Sequence, residues 1–202
     1  MTRRNLFAGA WIAGIALASL AVSVQAADIA ALKEKVKDKI ELCAGCHGEN
    51  GISQMENTPS LAGQPDLFFQ WQLVFFRSGA RKNEIMGPIA ETLTNEDVRN
   101  LGAYYAALPP PPAKSGDTAD DLAAKGKQAA AGRRCASCHT DSYAGTKATA
   151  RIAGQREDYL VKALHDYKSG ARSGGGMAAM ADVAYPLSEE EIAALAHYLA
   201  GL

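Results

Sequence analysis

The chain has 202 residues and a formal net charge of -1, with 21 Lys and Arg against 22 Asp and Glu. This length fits one or two small domains, and so balanced a charge gives no reason to expect a protein that binds nucleic acid. All four cysteines fall in two short segments, near residues 45 and 137.

The first 26 residues are typical of an export signal. Arg3 and Arg4 precede an uncharged run of 19 residues, 6–24, and a small-residue cleavage site ends at Ala26. Cleavage there would leave 19 basic and 22 acidic residues, a net charge of -3. The alternative is an uncleaved anchor, because the run approaches the roughly 20 residues that span a bilayer. We expect a periplasmic protein, with membrane association as the alternative.

The first helix of the mature chain is predicted by Leu32, Val36 and Ile40, which recur at intervals of four residues. It leads into Cys43-Ala44-Gly45-Cys46-His47, and the second half contains the matching Cys135-Ala136-Ser137-Cys138-His139. On a helical turn, positions i, i+3 and i+4 share a face, so two thiols can bond the vinyl groups of one porphyrin while the imidazole faces its iron. We predict two covalently bound haem c groups per chain.

The next elements are also helical, and no alternating strand pattern occurs. An aromatic-rich helix runs from Asp66 to Ser78 and ends at Gly79, and its counterpart runs from about residue 157 to 169 and ends at Gly170. Capping pairs, Thr94 with Asp97 and Ser188 with Glu191, predict the start of the last helix of each half. These last helices should pack against the first helix of their half through Leu101 and Leu195 with neighbouring Tyr and Leu side chains.

The two halves are copies of one domain. The cysteine segments align at an offset of 92, and at 91 the segment 61–64, Leu-Ala-Gly-Gln, faces 152–155, Ile-Ala-Gly-Gln. Residues 109–118, with four consecutive prolines, predict a stiff linker. The expected fold is all-α, with two small helical domains in tandem, 27–108 and 119–202, after a signal segment, 1–26. A domain of about 80 residues has a core worth only about 3–5 kcal/mol, so a large apolar cofactor should help to complete each one.

The second axial ligand of each iron is predicted from the same repeat. Met86 lies seven residues before Leu93, and Met180 lies seven residues before Leu187, after a three-residue insertion in the second half. Without that gap, Met177 would align with Met86 instead. Met55, His165 and His197 have no counterpart in the other half. The axial pairs are therefore His47 with Met86 and His139 with Met180, and the covalent sites are Cys43, Cys46, Cys135 and Cys138.

Groups around the ligands are also candidates. A ligating histidine usually donates its other ring N–H to a carbonyl, for which Pro59 is the candidate in the first half and Ala150, which faces it, in the second. Basic residues that end the aromatic-rich helices could neutralise haem propionates or could be solvated; these are Arg77, Arg81, Lys168 and Arg172. Zinc binding and dithiol redox chemistry are the alternatives for a single Cys-X-X-Cys-His, but two copies with a methionine in register disfavour them.

Taken together, the doubled motifs resemble the di-haem cytochrome c4 family. The resemblance covers nearly the whole mature chain and rests on the cysteine segments, residues 61–64, the Phe76-Arg77-Ser78-Gly79 segment, Met86 and the closing tyrosine-bearing helix. It implies two cytochrome c domains related by a pseudo-twofold axis, with haems close together across the interface. It also implies a periplasmic carrier in a respiratory chain that delivers electrons to a terminal oxidase.

Three classes of function follow. The first is an electron carrier, not an enzyme, between redox proteins such as a quinol-linked donor complex and a terminal oxidase. The second is the haem subunit of a flavocytochrome c sulfide dehydrogenase or a similar flavoprotein dehydrogenase. The third is an enzyme that acts at a haem, such as a peroxidase, which the methionine register disfavours because both irons would lack an open position.

Overall fold

A computed structural model describes residues 28–113, 121–173, 176 and 178–202. The signal segment 1–26, residues 114–118 of the predicted linker, and Met177 lie outside them. Within the described part, all regular elements are helices, and Thr146 and Thr149 form one isolated bridge. The predicted all-α fold is confirmed. None of the helices in these ranges is long and apolar enough to cross a membrane.

Each half contributes five helices to the described structure. In the first half they are α1 (28–35), α2 (Lys37–His47), α3 (Asp66–Arg77), α4 (Met86–Glu91) and α5 (Asn95–Ala107). In the second half they are α6 (Asp121–Gly132), α7 (Ala136–His139), α8 (Glu157–Lys168), α9 (Ala178–Ala184) and α10 (Glu189–Ala200).

The helix ends follow the local signals in the sequence. The turns after α3 and α8 place Gly79 at φ +73° and Gly170 at φ +77°, a left-handed conformation that glycine adopts without a steric penalty. At the start of α5, the Thr94 side chain accepts from the Asp97 N–H while the Asp97 carboxylate accepts from the Thr94 N–H. Ser188 and Glu191 form the same capping box at α10. Both predicted caps are confirmed.

The first helix predicted from Leu32, Val36 and Ile40 is not continuous, and the corresponding helix of the second half is also broken. In the first half the helix is interrupted at Val36, whose φ of -127° and ψ of 23° are not helical, and α2 then runs without a break through the cysteine segment. In the second half the break comes later, at residues 133–135, where Arg134 has φ +56°. The second cysteine segment therefore has its own short helix, α7, preceded by Cys135.

Each half has its own buried core. The first core joins α2, α3 and α5 around Leu101, which has no exposed surface. The second core joins α6, α8 and α10 around Ile192, Leu195 and Leu199. The aliphatic and aromatic residues that pack the first core are Val36, Ile40, Phe69, Leu73, Leu93, Val98, Tyr104 and Tyr105. Each core lies within one predicted domain, and the limits of those domains stay a prediction.

The two halves pack against each other, and the proline-rich segment lies beside the contact. Phe75 of α3 packs against the core of the second half, and the Phe68 N–H donates to the Lys147 carbonyl at 2.9 Å. Gly63 has φ +70°, and a Cβ added to it would lie 2.8 Å from Cβ of Pro110. A glycine at this place in residues 61–64 thus lets the linker run against the first domain.

Candidate haem sites

His47 lies in the last turn of α2 and is 7% exposed. Its Nδ1 is 2.8 Å from the carbonyl oxygen of Pro59, which confirms the predicted acceptor. A carbonyl only accepts, so Nδ1 carries the hydrogen and Nε2 keeps its lone pair for a metal. Burial lowers the pKa of His47, although the bond to Pro59 opposes this effect. The ring is therefore neutral at pH 7, as an iron ligand must be.

His139 repeats this arrangement at the end of α7. It is 8% exposed, and its Nδ1 is 2.8 Å from the carbonyl oxygen of Ala150. Burial again lowers the pKa of the imidazole, against the effect of the bond to Ala150. The acceptor lies 12 residues after His47 but 11 residues after His139. This one-residue difference explains why the alignment offset changes from 92 to 91 between the cysteine segment and the Gly-Gln segment.

None of the four cysteines is in a disulfide, and Cys138 is exposed. Burial is the main cause that raises the pKa of the Cys43 and Cys135 thiols. In each half the second cysteine directly precedes the buried histidine, and the first lies one helical turn earlier. Two cysteines at this spacing beside a neutral imidazole fit the two thioether bonds and the iron ligand of a covalent haem.

The two candidate methionines occupy equivalent places. Met86 is the first residue of α4, and its N–H donates to the Asn83 side chain at 2.8 Å; Met180 lies in α9. Each side chain is partly buried against the core of its own half. The buried leucines that follow them, Leu93 and Leu187, both donate through their N–H to the carbonyl three residues earlier. The leucines that follow the two methionines thus have the same geometry, and the assignment of Met86 and Met180 as iron ligands stays a prediction. Met177 lies outside the described residues.

Met55, His165 and His197, the side chains without a counterpart in the other half, are exposed or have other partners. Met55 is 47% exposed. His165 Nε2 lies 3.3 Å from the Glu189 carboxylate, and His197 Nδ1 lies 3.2 Å from Glu157. Both histidines therefore have surface partners. Among the residues that the structure describes, no three His, Cys, Asp or Glu side chains converge on one point as a metal site would require.

Two buried polar atoms in the described ranges have no hydrogen-bond partner: the hydroxyl of Tyr105 and Nε of Arg151. Burial is the main cause that raises the pKa of Tyr105, and the nearby Cys43 thiol adds to this effect; burial lowers the pKa of Arg151. Arg151 directly follows Ala150, the acceptor for His139. Because an unpaired buried polar atom is costly, a bound group with its own polar atoms fits both places. The residues present therefore suit a haem in each half.

The basic residues considered for the propionates bind protein groups in the structure. Arg77 donates to the Leu93 carbonyl at 3.0 Å, and Lys168 donates to the Leu187 carbonyl, its counterpart. Arg81 lies over the Phe76 ring, and Arg172 lies in the same way over the Tyr167 ring, both at 4.5 Å. Contact with propionates stays a prediction.

Arg81 and Arg172 meet at the boundary between the halves. Both donate to the Gln72 side-chain oxygen at 2.7 Å, and Arg81 also donates to the Tyr159 hydroxyl at 3.0 Å. Burial raises the pKa of Tyr159, but the two guanidiniums outweigh this effect and lower it to about 8. These contacts join the halves next to the aromatic-rich helices.

The role of the two Gly-Gln glutamines, Gln64 and Gln155, was not predicted from the sequence. Gln155 accepts from the Ser60 N–H at 2.8 Å and donates to the Ser60 carbonyl at 2.9 Å. Gln64 accepts from the Arg151 N–H at 3.1 Å and donates to the Arg151 carbonyl at 2.9 Å. Each buried glutamine thus holds the backbone of one residue in the opposite half. An amide side chain repeated within an otherwise apolar segment was the signal, because buried polar groups need partners.

Comparison with known proteins gives the family. A cytochrome c4 from Thiocapsa roseopersicina is 33% identical, over 80% of this chain and 87% of its own. The chain belongs to the cytochrome c4 family. The sequence profile of the Cytochrome c family matches residues 123–202, the second half. A protein of Stutzerimonas stutzeri named thiosulfate dehydrogenase electron acceptor is 31% identical, over 95% of this chain and 94% of its own.

The fold comparison agrees with this assignment. The crystal structure of reduced cytochrome c4 from Pseudomonas stutzeri matches with a TM-score of 0.75 and 29% identity, over 84% of this chain and 97% of that one. The predicted architecture of two tandem cytochrome c domains is confirmed. As a member of this family, the chain is an electron-transfer protein that carries covalent haem c, and it is not an enzyme.

Proposed function

We propose that this chain is a periplasmic di-haem electron carrier of a respiratory chain, with one His–Met haem site in each half. The first haem is bound by Cys43, Cys46, His47 and Met86, and the second by the equivalent residues. The observation that carries the proposal is the repeated histidine, held at 2.8 Å from a backbone carbonyl in both halves. The residues that bind the second haem are Cys135, Cys138, His139 and Met180.

The protein residues define what such a site can do. When bound, the haem iron supplies one-electron redox chemistry. The carbonyls of Pro59 and Ala150 fix the orientation of each imidazole, and a methionine on the other side favours the ferrous state and raises the potential. With an imidazole and a thioether of its own half bound to the iron, each site would exchange electrons without binding a substrate. The contacts between the halves hold the two sites in a fixed relation.

Export and partners are parts of the same proposal. The signal-like residues 1–26 support a periplasmic location with cleavage near Ala26, and an uncleaved segment would attach the protein to the membrane. The relatively high potential expected for a methionine ligand suits electron delivery from a quinol-linked donor complex to a terminal oxidase. No nucleic-acid partner is proposed, because the chain is close to neutral.

The test is the number of covalent haems per chain. We expect haem staining that survives a denaturing gel and an iron-to-protein ratio of two in the purified protein. Replacing both cysteines of one half by alanine, Cys43 with Cys46 or Cys135 with Cys138, should reduce the ratio to one in each case. A ratio of one in the native chain, or zinc in place of iron, would contradict the proposal.

A second candidate function is the electron acceptor of a sulfur-oxidising dehydrogenase. Its support is the relative named thiosulfate dehydrogenase electron acceptor, which matches this chain over nearly its full length. A haem subunit of a flavocytochrome c sulfide dehydrogenase would be a related arrangement. Purification from native membranes and periplasm at low salt distinguishes these functions. A permanent subunit co-purifies with its dehydrogenase in stoichiometric amount, whereas a carrier binds its partners transiently.

A further inference from the structure

Each glutamine contact continues directly to the axial histidine of the other half. The Ser60 N–H, which donates to Gln155, and the Pro59 carbonyl, which accepts from His47, belong to one peptide group. Gln155 is therefore connected to His47 through two hydrogen bonds and a single planar peptide unit. The path is complete within the described structure, and both bonds are 2.8 Å long.

The same path exists in the opposite direction. The Arg151 N–H donates to Gln64 at 3.1 Å, and the Ala150 carbonyl of the same peptide group accepts from His139 at 2.8 Å. Gln64 and Gln155 are 6% and 5% exposed, so water does not compete strongly for these bonds. Each half thus supplies an amide side chain that acts on the histidine of the other half.

This connection has an electronic consequence. A peptide group whose N–H is hydrogen-bonded is polarised, and its carbonyl becomes a stronger acceptor, because linked hydrogen bonds strengthen one another. A stronger acceptor at Nδ1 makes the imidazole a more basic ligand. A more basic ligand stabilises ferric iron relative to ferrous iron, and the reduction potential falls.

We propose that Gln64 and Gln155 are positioning residues that set the reduction potential of the haem in the opposite domain. This inference rests on the proposed function of His47 and His139 as iron ligands. Gln155 lowers the potential of the first haem through the Pro59–Ser60 peptide, and Gln64 lowers that of the second through the Ala150–Arg151 peptide. The contact between the domains then sets the reduction potentials of the haems as well as joining the domains.

The test measures the potential of each haem in the holoprotein by redox titration followed by NMR, which assigns signals to each domain. In Gln155→Met the potential of the first haem should rise more than that of the second. In Gln64→Met the second haem should show the larger rise. Gln155→Glu keeps an oxygen that can accept from Ser60, so it should return the first potential to the native value or below it.

A control variant distinguishes this effect, which passes from each glutamine through a peptide group to the histidine of the other half and is called the relay below, from a general loosening of the interface between the halves. Tyr159→Phe removes an uncharged acceptor of an inter-domain hydrogen bond from Arg81 but leaves both peptide groups untouched. This variant should not shift the potential of one haem more than that of the other in the way that the glutamine variants do. Equal shifts of both haems, larger shifts in the haem of the mutated domain, or no shift in either glutamine variant would overturn the relay. A native chain with fewer than two haems would overturn the proposed function itself.

Discussion

The two halves share the contacts of the histidine but reach them by different backbone paths. In the first half, α2 continues through Cys43 to His47, whereas in the second the chain turns at Arg134 and starts the short helix α7. The acceptor is a proline carbonyl in one half and an alanine carbonyl in the other, and both distances are 2.8 Å. Because the acceptor is backbone, the residue type can change while the histidine stays fixed.

Beyond the acceptor, the surroundings of the two sites differ. Ser60, which follows Pro59, is 3% exposed, and its hydroxyl accepts from the Ser53 N–H at 3.1 Å. The equivalent residue in the second half is Arg151, whose buried Nε has no partner. The two histidines therefore keep equivalent contacts, while the polarity next to their acceptors differs between the halves. If each half holds the proposed haem, this difference gives the two haems different potentials even with the same ligands.

The largest expected effect is the loss of an axial ligand. Met180→Ala should abolish the methionine-to-iron charge-transfer band of one haem and lower its potential, because Met180 packs against the second core in register with Met86. Met86→Ala should do the same to the other haem, and Met177→Ala should leave both spectra nearly unchanged. Loss of the band in Met177→Ala, with the band kept in Met180→Ala, would show that the ungapped alignment is right.

The two halves also differ in how closely the first helix packs against the last one. A Cβ added to buried Gly126 of α6 would collide with the Ala194 carbonyl of α10, whereas Glu34, which faces Gly126 at an offset of 92, is exposed. Gly126→Ala should therefore destabilise the second half by about 1–3 kcal/mol, measured by denaturant unfolding of the holoprotein.

Gly132→Ala in the same helix is the control for this substitution. A Cβ at Gly132 would have no neighbour within 4 Å, so the change should be neutral or stabilise α6 by up to about 1 kcal/mol. Equal effects of the two changes would contradict the close packing of α6 and α10.

The capping boxes should respond alike in both halves. Thr94→Ala and Ser188→Ala each remove the side-chain acceptor of the third N–H of the last helix, and each should cost about 1 kcal/mol of unfolding free energy. Thr92→Ala removes an exposed hydroxyl outside the cap, which donates to the Ile89 carbonyl at 2.8 Å, and should cost less. A cost confined to one half would break the equivalence of the domains.

The smallest change is expected in how the stability of the protein decreases at acidic pH. Bonds from the Ser188 backbone and the Arg133 side chain lower the pKa of Glu191 below its ordinary value of 4.5. The carboxylate therefore contributes stability above about pH 4.5, and this contribution is lost as pH falls through the lower pKa of the folded state. Glu191→Gln should lose stability at pH 7 and show a shallower decrease below pH 4.5, measured by thermal unfolding across pH. If the unfolding temperatures of Glu191→Gln and of the native protein fell in parallel with decreasing pH, Glu191 would not be the cause of this pH dependence.

The features that the sequence predicted correctly depend on local chemistry or on the repeat. The capping boxes need only neighbouring residues, whereas Met86 and Met180 as iron ligands stay a prediction from the aligned halves. The acceptors Pro59 and Ala150 follow from the same alignment. The partners of Gln64 and Gln155, and the close approach at Gly126, depend on how distant segments pack. The break at Val36 also escaped prediction, because its apolar spacing fits an uninterrupted helix equally well.

The most direct test of the account is the proton NMR spectrum of the reduced protein. A methionine bound to ferrous haem has its methyl group held over the porphyrin, whose ring current shifts that signal far upfield. We expect two such methyl signals per chain, one lost in Met86→Ala and the other in Met180→Ala. A single signal in the native protein, or two signals that both survive either substitution, would contradict the claim that the two halves carry the same His–Met site.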